Sequence, residues 1–431
     1  MEGLVEFVSN LTTAQIVGYF WPFFLLDMFR YVIVDAVVIT GYLVQQSFST
    51  KEKRAARHAL FAEYPLVSII VPGKNEGKHI PKLVKTLSKQ TYKNIEFIVV
   101  DDGSDDNTAI ICRRLEAQGK ISKFISNRIR GGKASGANTA LAFSKGKYII
   151  HIDADSYLKT NAIEEILLPF FRYANIGAVG GDVRVANMKE TFATRLQGIE
   201  YFKTISSGRV AATELGILRI ISGAHGAFRR DVLNKIQGWD VGPGLDGDIT
   251  LKIRKLGYDV VHSVDAVCYT NAPTKFKTLA KQRYRWDKSL IRFRLRKHID
   301  ILKPSATFRE SNMFSVLENI LFNLLLDIKW FIYFAVLIIS YPENLGYVMI
   351  INYVLYLIAN IIQYIFVIAI VGRKETLSTT VLFLPLMPFY TGLFLRAIRT
   401  YSYIMEILHK TSYDDAWNPW KVSKVAKKNK L

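Results

Sequence analysis

The sequence predicts an α/β domain with a mixed, mainly parallel sheet, inserted between N- and C-terminal transmembrane helices. Strand-like and helix-like patterns alternate between Leu66 and about Asp300, with glycine at the junctions, which is typical of βαβ units. The run Gly346–Val371 has no charged residue and is long enough to cross a bilayer, which needs about 20 apolar residues. Half of the residues are apolar, yet 57 Lys and Arg against 37 Asp and Glu leave a formal charge of +20.

The composition excludes several classes of protein. The apolar content is too high for a disordered chain. The only two cysteines, Cys112 and Cys268, rule out a disulfide scaffold and suit free thiols in a reducing compartment. A hydrophobic and strongly basic chain indicates a membrane or a nucleic-acid partner. We expect a lipid bilayer and no nucleic acid, because an apolar block follows soon after the amphipathic, Lys- and Arg-rich stretch Pro273–Arg296.

Apolar and basic stretches divide the chain into five parts. The first is an N-terminal transmembrane segment over residues 1–50, which we expect to be one long tilted helix. Asp27 and Arg30 are spaced at i,i+3 in it, which allows them to pair. The others are a cytosolic domain over 51–272, amphipathic interface helices over 273–312, a C-terminal transmembrane block over 313–400 and a basic tail over 401–431.

The placement of Lys and Arg predicts the orientation. The basic stretch Lys51–Arg57 follows the first span, and no cation precedes Thr12. The α/β domain should therefore be cytosolic, in a multi-pass protein of the cell membrane (plasma or inner membrane). The third apolar run, Thr376–Leu395, contains the helix breakers Pro385 and Pro388. We expect a broken or re-entrant segment there, so that the Lys-rich tail stays in the cytosol.

Two acidic clusters directly follow predicted strands in the first half of the α/β region. Asp101 and Asp102 follow one strand, and Asp153 and Asp155 follow another. Ligands of parallel sheets bind beyond the carboxyl ends of the strands. The predicted strands are Leu66–Pro72, Ile95–Val100, Phe124–Ile125 and Tyr148–Ile152, and the predicted helices reach Lys89, span about 105–118 and span 133–144.

The D-x-D sequence and a glycine-rich loop are the candidate phosphate and metal sites. Asp153 and Asp155 can hold one Mg²⁺ or Mn²⁺, which shares its shell with a substrate diphosphate; the alternative is an acidic turn that ends a strand. Gly131, Gly132 and Lys133 open a helix with backbone N–H groups and a cation, which suits phosphate. The loop lacks the spacing of an ATP-type P-loop, and a plain loop with a solvated lysine is the alternative.

Three further motifs make the pattern specific. Residues 222–230 are SGAHGAFRR, residues 244–250 are GLDGDIT and residues 282–286 are QRYRW. Together with DDGS at 101–104 and the D-x-D sequence, in this order and spacing, the chain resembles the membrane-integrated, processive family 2 glycosyltransferases. These are the synthases of cellulose, chitin, hyaluronan and poly-N-acetylglucosamine, and the resemblance covers about Leu66 to Trp286.

The resemblance implies a nucleotide-sugar transferase domain of GT-A type and a role for each matching residue. The general base of the family corresponds to Asp246, in a motif whose middle acidic position is here Leu245, and Asp248 is a rival for that role. A single base without a protein nucleophile implies inversion, so that an α-linked UDP-sugar yields a β-linked product. The other roles are uridine binding for Asp101 and Asp102, nucleotide contact for Lys133 and Asp153, metal binding for Asp153 and Asp155, and the acceptor edge for Gln282, Arg285 and Trp286.

We therefore expect a UDP-sugar-dependent hexosyltransferase that polymerises N-acetylglucosamine processively and extrudes the polysaccharide across the membrane. UDP-N-acetylglucosamine is the favoured donor, the growing polysaccharide is the acceptor, and the resemblance allows a small membrane accessory subunit. The absence of an F-x-V-T-x-K segment argues against cellulose. The alternatives are a hyaluronan synthase that also uses UDP-glucuronate, a non-processive lipid glycosyltransferase, and a silent channel or assembly subunit, against which the intact acidic motifs argue.

Overall fold

The N-terminal region is a long helical arm. The computed structural model describes residues 2–240, 244–304, 308–373, 379–414 and 419–428. A capping box between Thr12 and Gln15 begins the long helix, which continues without a break to Phe48. The arm as a whole consists of α1 (Glu2–Ser9), α2 (Thr13–Trp21), a π-helical stretch (Pro22–Val34), α3 (Asp35–Phe48) and α4 (Thr50–Glu63).

The predicted pairing within this arm is wrong. Arg30 donates to Asp35 at 2.7 Å and to Glu318 at 2.8 Å, while Asp27 accepts the hydroxyl hydrogen of Tyr356 at 2.6 Å. The i,i+3 spacing brings two side chains within reach, but Arg30 instead donates to Asp35 and Glu318, and Asp27 accepts from Tyr356. The arm is thus tied to the C-terminal apolar helices.

The described residues of the α/β domain form one eight-stranded sheet in the order β3-β2-β1-β4-β7-β6-β8-β5. Four strand pairs are parallel and three are antiparallel, which confirms the mixed, mainly parallel sheet. The strands are β1 (Val67–Gly73), β2 (Ile95–Asp101), β3 (Lys123–Ser126), β4 (Tyr148–Ile152), β5 (Tyr157–Leu158), β6 (Ile176–Val185), β7 (His225–Arg229) and β8 (Asp259–Thr270).

Helices cover both faces of the sheet, as the continuous apolar strands require. In β1, Ile69 and Val71 face one core, and Ile70 between them faces the other, in keeping with the two-residue period of a strand. The helices are α5 (Ile80–Leu87), α6 (Thr108–Ala117), α7 (Lys133–Phe143), α8 (Ala162–Arg172), α9 (Phe192–Tyr201), α10 (Gly208–Glu214), α11 (Arg230–Lys235) and α12 (Leu245–Lys255), with a π-helical stretch (Phe202–Ser207) after α9.

The C-terminal region begins with α13 (Phe276–Ile291), which carries the QRYRW motif. A π-helical stretch (Arg292–Lys297) and a short 3₁₀ turn (Ile299–Leu302) follow. The later helices are α14 (Glu310–Asn319), α15 (Leu326–Ser340), α16 (Leu345–Val371), α17 (Met387–Phe389), α18 (Arg396–His409) and α19 (Trp420–Lys428), with π-helical stretches Ile320–Leu325 and Tyr390–Leu395 and 3₁₀ turns Pro342–Asn344, Thr379–Leu386 and Thr411–Asp414.

Among the described residues, three helical stretches are long and apolar enough to cross a membrane. They are Glu310–Ser340, Pro342–Val371 and Val381–His409, and they indicate association with a membrane. The last contains the predicted irregularity, because 3₁₀ and π-helical turns flank Pro385 and Pro388. Residues 376–378 at its predicted start, and Lys430 in the predicted basic tail, lie outside the described residues.

Candidate active site

The strand order brings the predicted donor residues to one edge of the sheet. β1 lies between β2 and β4 and is parallel to both. The segments that follow these three strands therefore leave the sheet side by side. They carry Glu76 after β1, Asp101 and Asp102 at the end of β2, and Asp153 after β4. Acidic groups that lie about 25 to 50 residues apart in sequence thus meet at one edge.

Asp101 and Asp102 shape the loops around this edge. Asp102 accepts hydrogen bonds from the backbone N–H groups of Gly131 at 2.8 Å and Gly132 at 2.7 Å. Asp101 accepts from the backbone N–H of Ser104 at 3.0 Å. Both carboxylates are buried. They hold the glycine-rich loop against the end of β2, and their contact with uridine stays a prediction.

Lys133 and Asp153 form the centre of the predicted donor site. The ammonium of Lys133 is 2.5 Å from Asp153 Oδ1, and each side chain is about one-third exposed. Burial lowers the pKa of Lys133, but Asp153 and Asp246 outweigh it and raise the value. Burial raises the pKa of Asp153, but Lys133 and His151 outweigh that effect and lower it. Both groups are therefore charged at neutral pH.

Glu76 joins Asp153 and Asp155 in a locally acidic site. Burial, followed by the charges of Asp155 and Asp153, raises the pKa of Glu76 to about 7. Burial and then Asp153 also raise the pKa of Asp155. Ionised carboxylates that lie close together repel one another, and a bound cation would reduce this repulsion.

The donor set fits a hard divalent cation, although it is not a complete metal cage. Carboxylate oxygens are the ligands that Mg²⁺ and Mn²⁺ prefer, and burial, followed by the neighbouring carboxylates, raises the pKa of Asp155 and of Glu76, so a bound cation would favour their ionised forms. Within the part of the chain that the structure describes, no three His, Cys, Asp or Glu side chains are grouped closely enough to hold a metal by themselves. A cation at Asp153 and Asp155 therefore needs oxygen ligands from a substrate.

Asp246 reaches the same site from α12 through a single glycine. Gly223, just before β7, donates its backbone N–H to Asp246 Oδ2 at 2.8 Å. Its carbonyl oxygen lies 2.6 Å from His151 Nδ1, and a carbonyl only accepts, so this nitrogen carries the hydrogen. A Cβ at position 223 would lie 2.5 Å from Asp246 Oδ1. Gly223 thus links β4, which leads directly to Asp153, with the predicted base.

Asp248, the rival base, lies elsewhere. It is buried and contacts Lys297 Nζ at 2.8 Å and His298 Nε2 at 2.7 Å. Burial raises its pKa, but His298 and Lys297 outweigh that effect and lower it. The Lys297 ammonium and the His298 imidazole use both carboxylate oxygens, so the structure gives Asp248 the surroundings of a structural contact. The role of Asp246 as the base stays a prediction.

Helix α13 carries the three predicted acceptor residues, and one of them, Arg285, acts on the same cluster. The charge of Arg285 lowers the pKa of Asp153, although burial, Lys133 and His151 have larger effects on it. The guanidinium of Arg285 therefore belongs to the same group of charges. Gln282 Oε1 is buried and accepts no hydrogen bond from the described residues. Trp286 stays 39% exposed. The helix thus offers a cation, a carbonyl oxygen and an accessible indole.

Sequence reasoning missed three residues of this cluster. Glu76 follows β1, and the signal was available because β1 precedes β2 in a parallel sheet, so its exit lies at the ligand edge. His151 is a buried residue inside a strand, and nothing in its pattern separates it from a core residue. Arg209 comes from α10. Burial lowers the pKa of Arg209, although the charges of Asp182 and Asp246 act to raise it. Its buried Nη1 has no hydrogen-bond partner among the described residues.

Comparison with known proteins gives a consistent result. Residues 68–237 match the family described as Glycosyl transferase family 2. A poly-β-1,6-N-acetyl-D-glucosamine synthase of Staphylococcus epidermidis is 26% identical over 270 residues, which cover 61% of this chain and 65% of that protein. A probable glycosyltransferase of Bacillus subtilis is 29% identical over 232 residues, which cover 52% of this chain and 55% of that protein. The chain thus spans about half to two thirds of the length of these relatives.

A solved structure supports the fold. A mannosyltransferase from Pyrobaculum calidifontis, determined in complex with GDP-mannose and Mn²⁺, superposes with a TM-score of 0.53 at 20% identity, over 88% of this chain and 99% of that chain. Its likeness, the family match and the mixed sheet agree on a GT-A-like α/β domain. Residues 68–237 are therefore similar to the family 2 glycosyltransferases, and the α/β domain has a GT-A-like fold.

Proposed function

We propose that the protein is an inverting β-glycosyltransferase that polymerises N-acetylglucosamine from UDP-N-acetylglucosamine, processively, and extrudes the product across the membrane. One observation carries the proposal: Lys133 lies 2.5 Å from Asp153, after β4, and this carboxylate and that of Asp246, on α12, both raise the pKa of Lys133. The relatives that are named poly-β-1,6-N-acetyl-D-glucosamine synthases favour this sugar and a polymeric product.

The donor diphosphate would lie against the cations of the site. Lys133 and Arg285 supply fixed positive charge close to Asp153, and a guanidinium is suited to two phosphate oxygens at once. Asp153 and Asp155 would hold Mg²⁺ or Mn²⁺, which when bound offsets the charge that develops on the departing diphosphate. Chelation of divalent cations should therefore stop transfer, and re-addition of Mg²⁺ or Mn²⁺ should restore it.

Asp246 would act on the acceptor sugar. As an acceptor hydroxyl oxygen forms its bond to the anomeric carbon of the donor, that carbon loses its bond to the phosphate oxygen and UDP leaves with the electron pair. The hydroxyl proton passes to the Asp246 carboxylate. The attack comes from the side opposite the leaving group, so the anomeric configuration inverts. A base placed in this way contributes about 10²- to 10⁴-fold to the rate.

Contacts of the third apolar stretch support a re-entrant segment. Its aromatic side chains pack along α9 and α13 over its whole length, from Phe383 against Phe192 at 5.8 Å to Tyr401 against Tyr284 at 5.8 Å. Lys288 then donates to the carbonyl oxygen of Thr411 at 3.2 Å. From Phe394, against Phe276, to Thr411 this segment lies beside the Lys- and Arg-rich helix α13, which favours a return to the side from which it came. We infer that the catalytic domain and the basic tail are both cytosolic.

A donor screen tests the proposed function. Purified protein in lipid nanodiscs would receive one radiolabelled UDP-sugar at a time, and the products would be sized and digested with a β-hexosaminidase. We expect long, digestible polymer from UDP-N-acetylglucosamine alone. A requirement for UDP-glucuronate would indicate a hyaluronan synthase, and transfer of a single sugar to lipid would contradict processivity.

A topology reporter tests the orientation separately. A reporter that is active only in the cytosol, fused after residue 431, should be active. The same reporter placed in the loop between Ser340 and Leu345, where two apolar stretches meet, should be silent. An active loop fusion or a silent C-terminal fusion on a stably produced protein would contradict the arrangement.

A further inference from the structure

Glu200 and Arg283 form a buried pair next to the predicted acceptor edge. Arg283 donates from Nη1 to Glu200 Oε1 at 2.7 Å and from Nη2 to Oε2 at 2.9 Å. The two side chains are only 6% and 12% exposed. Glu200 is on α9, and Arg283 is one of the two residues of the QRYRW motif between Gln282 and Arg285. Two parallel charged hydrogen bonds fix the plane of the guanidinium as well as its position.

The fixed guanidinium lies against Trp286. The Cζ atom of Arg283 is 4.8 Å from the centre of the indole ring of Trp286 and 5.7 Å from the centre of the Tyr201 ring. Both distances are within the range of a cation–π contact. Trp286 nevertheless keeps 39% of its surface exposed. Arg283 therefore supports the indole from the protein side and leaves part of the ring available to a ligand.

Tyr390 connects this pair to the third apolar stretch. Its hydroxyl donates to Glu200 Oε2 at 2.9 Å, and its ring packs in a core formed with Leu196, Phe202 and Tyr364. One carboxylate thus receives hydrogen bonds from α13 and from the segment Tyr390–Leu395. The position of Trp286 is consequently coupled to the packing of an apolar helix against the catalytic domain.

We propose that Glu200 and Arg283 are positioning residues, which orient the indole of Trp286 for the acceptor sugar, and that Tyr390 holds this pair in register with the adjacent apolar helix. The inference rests on the proposed function, because it assumes that Trp286 meets the acceptor. Neither residue of the pair has a contact with Lys133, Asp153 or Asp246 among the described interactions, so we expect the pair to act on acceptor binding more than on donor binding.

The experiment compares Glu200→Gln, Arg283→Lys and Tyr390→Phe with the wild-type enzyme in nanodiscs. The acceptor probe is a short β-linked N-acetylglucosamine oligosaccharide, and UDP affinity is measured by calorimetry. We expect the acceptor KM to rise about tenfold for the first two variants, since lysine cannot replace a bidentate, stacked arginine. It should rise about two- to threefold for Tyr390→Phe, which removes one of the three hydrogen bonds to the Glu200 carboxylate. UDP affinity and the hydrolysis of UDP-sugar by water should remain at wild-type levels.

A charge swap separates positioning from stability. Glu200→Arg combined with Arg283→Glu retains an ion pair but removes the cation from the indole. We expect the swap to restore the melting temperature lost in the single variants without restoring the acceptor KM. Recovery of both would assign the pair a structural role only and would overturn the proposal.

The matched control is the pair of Arg296 and Glu406. It also ties the continuation of α13 to the third apolar stretch through a buried carboxylate, but no contact joins it to Trp286 among the described residues. Glu406→Gln should lower the melting temperature and leave the acceptor KM unchanged. An equal rise in KM for Glu406→Gln, or no rise for Tyr390→Phe, would contradict the inference.

The two proposals fail in different ways. The proposed function fails if the wild-type enzyme makes no N-acetylglucosamine polymer. The positioning role is measured as a ratio of variant to wild type, with whichever donor and acceptor the wild-type enzyme uses, and it fails if that ratio is unchanged.

Discussion

Two parts of the molecule are assembled in different ways: the donor half, which carries the predicted donor residues Asp102, Lys133 and Asp153, and the membrane-facing half, in which α9 and α13 contact the C-terminal apolar helices. At the donor edge, Asp102 binds backbone N–H groups of the glycine-rich loop, and strand order alone brings the acidic loops together. On the membrane side, ion pairs between side chains of distant segments hold the helices: Glu200 with Arg283, 83 residues apart, and Asp327 with Arg399, 72 residues apart.

This difference predicts which substitutions should change the reaction and which should change the stability of the assembled helices. The side chains of Lys133 and Asp153 at the donor edge are about one-third exposed and form an ion pair, so their replacement should change the reaction and leave the fold intact. The membrane-side carboxylate of Asp327 is fully buried and is shared by Arg396 at 3.1 Å and by Arg399. Its replacement should destabilise the assembly and leave the chemistry of the surviving molecules unchanged.

The largest effect on turnover is expected for Asp246→Asn. Transfer should fall by about 10²- to 10⁴-fold, because the amide cannot accept the acceptor's proton, while calorimetric UDP affinity stays near the wild-type value. Asp248→Asn is the control. It should lower the melting temperature through loss of the Lys297 and His298 contacts and leave kcat within a few-fold. If kcat were lost in Asp248→Asn and retained in Asp246→Asn, Asp248 would be the base and Asp246 the structural residue.

Gly223→Ala should have the next largest effect. The added Cβ would lie 2.5 Å from Asp246 Oδ1, so the carboxylate must move while the backbone stays in place. A displacement of about 1 Å at a reacting group costs up to about 10²-fold in rate. We expect kcat to fall by roughly that factor with little change in melting temperature. A wild-type kcat in this variant would show that the position of Asp246 is unimportant.

Glu76→Gln should have a smaller effect that depends on pH. Because burial and the neighbouring aspartates raise the folded-state pKa of Glu76 to about 7, the native protein keeps a proton there that the unfolded chain releases near its ordinary value of 4.5. Stability of the metal-free protein should therefore fall as pH rises from about 4.5 to 7. Glu76→Gln should flatten this part of the curve, measured as melting temperature against pH.

The same variant sharpens the prediction of the cation site. Binding of Mn²⁺ with UDP should strengthen as pH rises through about 7 in the wild-type protein, because deprotonated Glu76 adds negative charge beside Asp153 and Asp155. The dependence should weaken in Glu76→Gln. An identical pH profile for both proteins would exclude Glu76 from the cation's surroundings.

Asp327→Asn should have the smallest effect on turnover and a large effect on stability. Removing one partner of a buried ion pair costs about 3–5 kcal/mol, here because two arginines would lose their shared carboxylate. We expect a low yield and a reduced melting temperature in detergent, with the wild-type KM for UDP-sugar in the molecules that fold. A raised donor KM at unchanged stability would contradict the claim that Asp327 affects the stability of the protein and not the reaction.

The donor half was largely predictable from the sequence because its information is local. The four predicted strands and three predicted helices are present within a few residues, as in β4, predicted and found at Tyr148–Ile152. D-x-D follows its strand at once. Glu76 escaped attention because its significance depends on β1 lying between β2 and β4, which is a property of the sheet order.

The membrane-facing half was less predictable because its partners are far apart in the chain. Local spacing suggested a pair between Asp27 and Arg30, but each has a distant partner. Nothing near Glu200 in the sequence indicates Arg283 or Tyr390. The helix-breaking residues Pro385 and Pro388 did signal an irregular third stretch, since proline acts on the backbone of its own helix.

The central claim is that groups from β4, α12 and α13 form one active centre around a cation-bound sugar diphosphate. Anomalous X-ray diffraction from crystals grown with UDP and Mn²⁺ tests it most directly. We expect a single manganese peak at the carboxylates of Asp153 and Asp155, with UDP beside Lys133 and with Asp246 and Trp286 facing the open side of the same cleft. A manganese ion bound elsewhere, or a nucleotide with Asp246 and Trp286 outside its cleft, would contradict the account.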